Sequence, residues 1–224
     1  PTLYDGEVAN RAKKYFKGGN GALVGLELKG GAEAVADYEL LELVLFNAIP
    51  RKDVKPLAKE LLSTFGSLND VVSASVDTLT SIKGISETTA IQLKVLQATT
   101  HKILSEQVKE KNIISSWQTL LGYLKAVMGP LKKEQFRILF LDRKNALIAD
   151  EVQQEGTVDH TPVYPREVMK RALELHATAI ILVHNHPSGD PTPSRADIEM
   201  TQAIVSAGKS LSITVHDHLV IARG

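Results

Sequence analysis

The stretch ILVHNHPSGDPTPSRADIEMT, from Ile181 to Thr201, carries the residues of this chain best suited to chemistry. Side chains two apart on a strand point the same way, so His184 and His186 can present two imidazoles to one side. Pro187 to Thr192, with Gly189-Asp190, is turn chemistry that folds the chain back. On the helix that follows, Ser194 and Asp197 are three apart and share a face. If that helix packs near the strand, two neutral imidazoles and a carboxylate converge and leave one tetrahedral position for water. Such an open nitrogen and oxygen set suits catalytic zinc, one ion per chain. Zinc lowers the pKa of its bound water to about 7, and the reaction then needs a carboxylate to move the proton and a donor for the developing oxyanion. Ser194 suits the second role.

Taken singly, these residues have ordinary explanations. A His-x-His pair can be a satisfied strand end, Asp197 a first-turn acid that complements a helix dipole, and Ser194 early-helix filler. The joined pattern H-x-H-x7-S-x2-D, in a strand–turn–helix context, is what lifts them to a site.

The elements that must position these residues form two groups. Residues 1–37 are Gly-rich, with GGNG at Gly18 to Gly21 and Gly30-Gly31, and carry little helical propensity apart from a turn around Arg11 to Phe16. From Tyr38 the spacing predicts helices: YELLELVLFNA, stopped at Ile49-Pro50, then Val54 to Phe65, stopped by Gly66. Ser67 to Asp70 resembles a capping box before VVSA. A short helix over Thr78 to Ile82, a tight turn at Lys83-Gly84-Ile85-Ser86 and a helix over Thr88 to Leu104 complete an all-helical unit at 38–106. The charged run Gln107 to Asn112 reads as a linker, spanning 107–115 with its flank.

A second domain at 116–224 mixes elements. Ser116 can cap a helix that runs through Val127 and ends at Gly129-Pro130. Phe136, Ile138 and Phe140 alternate as in a strand; Asp142 to Asn145 turn the chain, and ALIADEVQQ pairs back. Pro165 opens a helix to about Leu175. Ala177 to Val183 is a continuous apolar run, as in a strand covered on both faces. Pro193, capped by Thr192, opens a helix to about Ala207, and a last strand runs from Ile213 to Ile221. The fold class expected is therefore α+β.

Composition narrows the function. There are no cysteines, so disulfides and thiolate zinc sites are excluded. Net charge is zero, with 14 basic and 14 acidic residues in positions 1–115 and 12 of each in the rest, so any nucleic-acid surface must be local. The longest apolar stretch, Ala177 to Val183, is too short to span a bilayer, and the first residues lack a signal-peptide core. A cytoplasmic location without membrane association is the expectation.

The H-x-H-x7-S-x2-D pattern resembles the JAB1/MPN/Mov34 metalloenzyme (JAMM) motif. More narrowly, the sequence from Val163 to Thr201 with ITVHDHLVIA resembles the bacterial RadC family, and ELLELVLF and LTSIKGISETTA resemble that family's helical N-terminal region. The resemblance covers roughly residues 22 to 222. It implies an MPN-type domain, a curved mixed sheet with flanking helices and a zinc ion at its edge, in a class whose eukaryotic members are isopeptidases. It also implies a catalytic Glu where the first long strand begins, which here is Glu134, with Glu151 and Glu155 as the next candidates.

LTSIKGISETTA resembles one helix–hairpin–helix element, which contacts DNA phosphates through backbone N–H groups at a Gly-x-Gly turn and a helix N-terminus. Lys83 and Gly84 are the contacts that implies, but Ser86 replaces the second Gly. Of the other histidines, His216 and His218 suit a role behind the metal ligands, while His101, His160 and His176 read as surface or packing residues. Arg166 could contact substrate or form an ion pair. The function expected is a zinc-dependent metallopeptidase or isopeptidase-like hydrolase acting on a peptide or protein, with specificity set by loops around 156–165. The alternative is a non-enzymatic DNA-associated module with a structural or vestigial zinc site, binding DNA weakly and without sequence preference.

Overall fold

A computed structural model describes residues 35–49, 52–109, 112–156 and 163–222. The Gly-rich segment up to residue 34, His160 and most of the 156–165 loop lie outside the described residues. Two compact units divide between Ala98 and Thr99.

The first unit is helical: α1 (Asp37–Ala48), α2 (Lys55–Phe65), α3 (Leu68–Ser73), α4 (Val76–Thr80) and the start of α5 (Glu87–Lys109). Its core is the apolar stripe of each helix, with Leu41, Leu45, Ala58, Leu61, Leu79, Ala90 and Leu93 fully buried. Serines begin three of the helices. Ser67, Ser75 and Ser86 each accept the backbone N–H three residues on, satisfying a donor that the first turn leaves orphaned. Gly84, at φ +101°, makes the turn between α4 and α5, a conformation that costs glycine nothing. Helix α5 runs on through Gln107 to Lys109, into the segment read as a linker, because Glu, Gln and Lys are good helix formers and a charged run is not a helix breaker.

In the second unit a 3-10 turn (Ile114–Ser116) leads into α6 (Trp117–Met128). Then follow β1 (Gln135–Leu141), β2 (Leu147–Glu155), α7 (Pro165–Glu174), β3 (Ala179–His186), α8 (Arg195–Lys209) and β4 (Thr214–Ala222). The strands form one mixed sheet in the order β2-β1-β3-β4. β1 runs antiparallel to β2 and β3, while β3 and β4 are parallel, so α8 is the crossover between them. The class is α+β, and no helix among the described residues is long and apolar enough to cross a membrane.

Helices cover both faces of the sheet. Leu139, Leu141, Ile181 and Val183 pack on one side with Leu120, Leu124 and Met128 of α6. Phe136, Ile138, Phe140, Ile180 and Leu182 pack on the other with Val168, Met169 and Ala172 of α7 and Ile204 of α8. β3 is central and buried from Ala179 to Asn185. Its alternation matters most for function: Ile180 and Leu182 face α7 and α8, so His184 and His186 continue on that side.

Candidate metal centre

β3 extends through both histidines, as their shared direction on a strand requires. Pairing with β1 and β4 carries it on: His184 lies opposite Phe136 and Val220, and His186 opposite Ala222. His184 is consequently buried, and Phe136 packs against both its ring and that of His218.

α8 begins two residues later than Pro193 suggested, and Ser194 is its N-cap in place of Thr192. Ser194 Oγ accepts the Asp197 N–H (3.2 Å), while Asp197 Oδ2 accepts the Ser194 N–H (2.7 Å). This reciprocal box satisfies two orphan donors at once. The S-x2-D half of the motif is therefore also a helix start. It fixes Asp197, 3% exposed, on the first turn and facing β3. The Ser194 hydroxyl donates to the same carboxylate oxygen at 2.6 Å.

His184, His186 and Asp197 meet, each offering one ligand atom within 4.8 Å of the others. The Nε2 atoms of the two histidines are 2.8 Å apart, and they lie 3.6 and 3.8 Å from Asp197 Oδ2. Nitrogen and oxygen ligands at 2.0–2.1 Å from a tetrahedral zinc stand about 3.3 Å from one another. The triangle thus has the right size for one ion.

Protons can be assigned around it. Thr201 Oγ1 donates to the Asp197 carbonyl oxygen (2.6 Å), so its lone pair accepts from His218 Nδ1–H (2.6 Å). A neutral His218 then has a bare Nε2, which accepts from His184 Nδ1–H at 2.8 Å. Burial, with His218 acting in the same direction, pushes the His184 pKa down to about 4, and burial lowers that of His218. On the other ligand, His186 Nδ1–H donates to the Asp190 carbonyl oxygen (2.7 Å). Both Nε2 atoms are left as lone pairs aimed at each other, an arrangement that repels until a cation lies between them. Burial works to raise the Asp197 pKa, but the Ser194 hydrogen bonds oppose it, and the carboxyl sits below its usual value. Two neutral imidazoles and one carboxylate fit zinc.

Glu134, just before β1, lines a cavity together with His184 and Asp197. Between His184 and His186, Asn185 points to the opposite face of the sheet. Its side chain accepts the Gln135 N–H (2.8 Å) and donates to the Lys133 carbonyl (3.1 Å). It therefore clamps the backbone on both sides of Glu134. Nothing near Asn185 in the sequence signals this role, because its partners lie 50 and 52 positions away. Thr201 was missed for a similar reason.

The remaining candidates lie elsewhere. Glu151 is held by Arg171 of α7 in a two-point ion pair (2.6 and 2.9 Å), and Glu155 ends β2 outside the cavity lining. Arg166 is exposed beside Glu167 and the Tyr164 ring. His216 bonds Asn145, His176 is exposed in a left-handed turn, and His101 is partly buried in α5. In the first unit Ser86 takes the Thr89 N–H, so this first-turn donor of α5 is already used beside Lys83 and Gly84.

A mixed sheet flanked by helices, with a His-His-Asp group at the junction of β3 and α8, defines a JAB-type domain able to hold a metal ion. A family model described as a RadC-like JAB domain matches residues 114–224, and one described as UPF0758 N-terminal matches residues 27–91. A UPF0758 protein of Ruegeria pomeroyi is 58% identical over 196 residues, 88% of either chain. Another, of Rhodobacter capsulatus, is 57% identical over 197 residues, 88% of this chain and 92% of that one. The chain belongs to the UPF0758 (RadC) family.

Proposed function

We propose that this protein is a zinc-dependent metallopeptidase or isopeptidase-like hydrolase that cleaves an amide bond in a peptide or protein. The observation that carries the reading is the convergence of the His184 and His186 Nε2 atoms, 2.8 Å apart, beside the Asp197 carboxylate, with Glu134 on the wall of the adjoining cavity. His184, His186 and Asp197 would hold one zinc ion. When bound, the ion supplies a water of lowered pKa and a Lewis acid for the carbonyl.

The protein's own groups do the rest. Glu134 takes a proton at its carboxylate and returns it to the leaving amine. Asn185 keeps Glu134 at that position through the backbone on either side. Ser194 orients Asp197 through its hydroxyl, and the same hydroxyl, turned from the carboxylate, would donate to an oxyanion.

The test pairs metal content with turnover. Protein purified without chelators should contain one zinc per chain, and His186→Ala should lose it. Glu134→Gln should keep its zinc while hydrolysis of a screened peptide or isopeptide substrate falls by roughly 10² to 10⁴. Asp197→Asn should weaken zinc binding itself. Full zinc retention in His186→Ala, or parental turnover in Glu134→Gln, would refute these assignments. Salt-dependent DNA binding without hydrolysis of any peptide would favour the DNA-associated module instead.

A further inference from the structure

We propose that the cavity beside the metal centre is a subsite for one large apolar side chain, aromatic or branched aliphatic, next to the amide to be cleaved. This rests on the hydrolase reading and adds a substrate class to it. The cavity has a volume of about 220 Å³. An apolar cavity of about 150 Å³ is enough to take benzene, so there is room for one such side chain.

Its walls come from separate elements: Phe136 from β1, Val163 and Pro165 from the entry to α7, and Met200 from α8. Ala196, Met200 and Ala203 fall at i, i+4 and i+7 on α8, one face of that helix. The small residues keep the mouth open, while the flexible thioether of Met200 can adapt to more than one shape. Asp197, on the adjoining face of that helix, and His184 also line the space, so a side chain seated there has its backbone beside the ligand atoms.

Charge chooses among occupants. Among the described residues no Lys or Arg lines the cavity, and the charged ones that do are Glu134 and Asp197. An acidic side chain would lie against the Glu134 carboxylate, with no protein cation on the described walls to pair with it. A basic one would have to leave water for a wall that is mostly apolar, and would neutralise the carboxylate that moves the proton. A neutral apolar group meets neither obstacle.

Hydroxamates chelate zinc without being cleaved, so they test the cavity independently of turnover. On zinc-loaded full-length protein, calorimetry would compare acetohydroxamate with 3-phenylpropanohydroxamate, its succinic-acid counterpart and 6-aminohexanohydroxamate. The phenyl arm should bind about 10- to 100-fold more tightly than acetohydroxamate, the gain from burying one apolar side chain. The acidic and basic arms should bring no gain. Ala203→Trp fills the mouth from an exposed position and should remove most of the phenyl advantage, as should Met200→Glu. Equal affinity of the phenyl and methyl compounds would overturn the subsite while leaving the zinc site standing. So would a tightest amine arm, or a phenyl advantage untouched by both variants. A protein that takes up no zinc would overturn the hydrolase reading and this one with it.

Discussion

Thr201→Val should weaken zinc binding although Thr201 is not among the proposed ligands. In the parent, the Thr201 hydroxyl accepts the His218 Nδ1 proton, which leaves His218 Nε2 bare to accept from His184 Nδ1 and keeps the His184 Nε2 lone pair on the metal side. Valine has the same shape and no lone pair. His218 can then move its proton to Nε2, facing His184 Nδ1, and drive the His184 proton onto the nitrogen that must bind the ion. The lost acceptor faces His218, whose ring is half-buried, so water replaces it incompletely. Restoring the binding tautomer leaves the half-buried His218 Nδ1–H without its protein partner, at about 1–3 kcal/mol. The metal-free protein escapes this cost by shifting the proton, so the cost falls on the bound state. The expected loss is therefore about 10- to 100-fold in zinc affinity, the usual range for partners behind a ligand. Competition against a chromophoric chelator reads the affinity, and nitrogen-15 spectra of histidine-labelled protein read which ring nitrogen of His184 carries the proton. His218→Ala should fall in the same range, and Thr201→Ser should restore the parent. A folded Thr201→Val protein with parental zinc affinity would refute the proton assignment.

Three further outcomes are expected. Asn185→Ala should keep zinc but reduce hydrolysis by about tenfold or more, since it frees the backbone flanking Glu134; a chelator titration beside an activity assay separates the two effects. Glu42, 7% exposed with Oε2 unbonded among the described residues, has its pKa raised by burial. The folded state then binds a proton more tightly than the unfolded one, so stability falls as pH rises from the unfolded pKa of about 4.3 through the folded value. Glu42→Gln should stabilise by about 1 kcal/mol at pH 7 and by little below pH 4, as urea melts at the two pH values would show; equal effects at both would count against the burial argument. DNA binding should be weak and non-specific, given balanced charge and the Thr89 N–H already bonded to Ser86. Sub-micromolar affinity at physiological salt, reduced in Lys83→Ala, would contradict it.

Much of the architecture was legible because it is written locally. The strand alternation at Phe136 to Phe140, the apolar run before His184 and the Pro165 helix start all lie within short windows. What was misread depends on distant partners or on competing local signals. Pro193 suits a first helical position, but the Ser194–Asp197 box satisfies two donors and moves the start of α8. The run from Gln107 to Lys109 looked like a linker because charge was weighed above helix propensity. The residue types that could bind metal were visible, whereas Asn185 and Thr201 gain meaning only when residues far along the chain reach them.

The alternation of β3 bears on how metal and folding relate. Ile180 and Leu182 fill one core, Ile181 and Val183 the other, and the next two positions on the first side are His184 and His186. The direction of the two imidazoles is therefore set by the same pleat that seals both hydrophobic layers. Turning them away would require slipping the strand by one residue, which would exchange the contents of both layers. Many small zinc domains gather their ligands only as the ion arrives, and so spend binding energy on folding. Here the ligand directions are fixed by oil-and-water partition along a strand. Metal affinity would thereby be left free to be set by the chemistry of the donors, and removing the proposed ion should leave the fold in place.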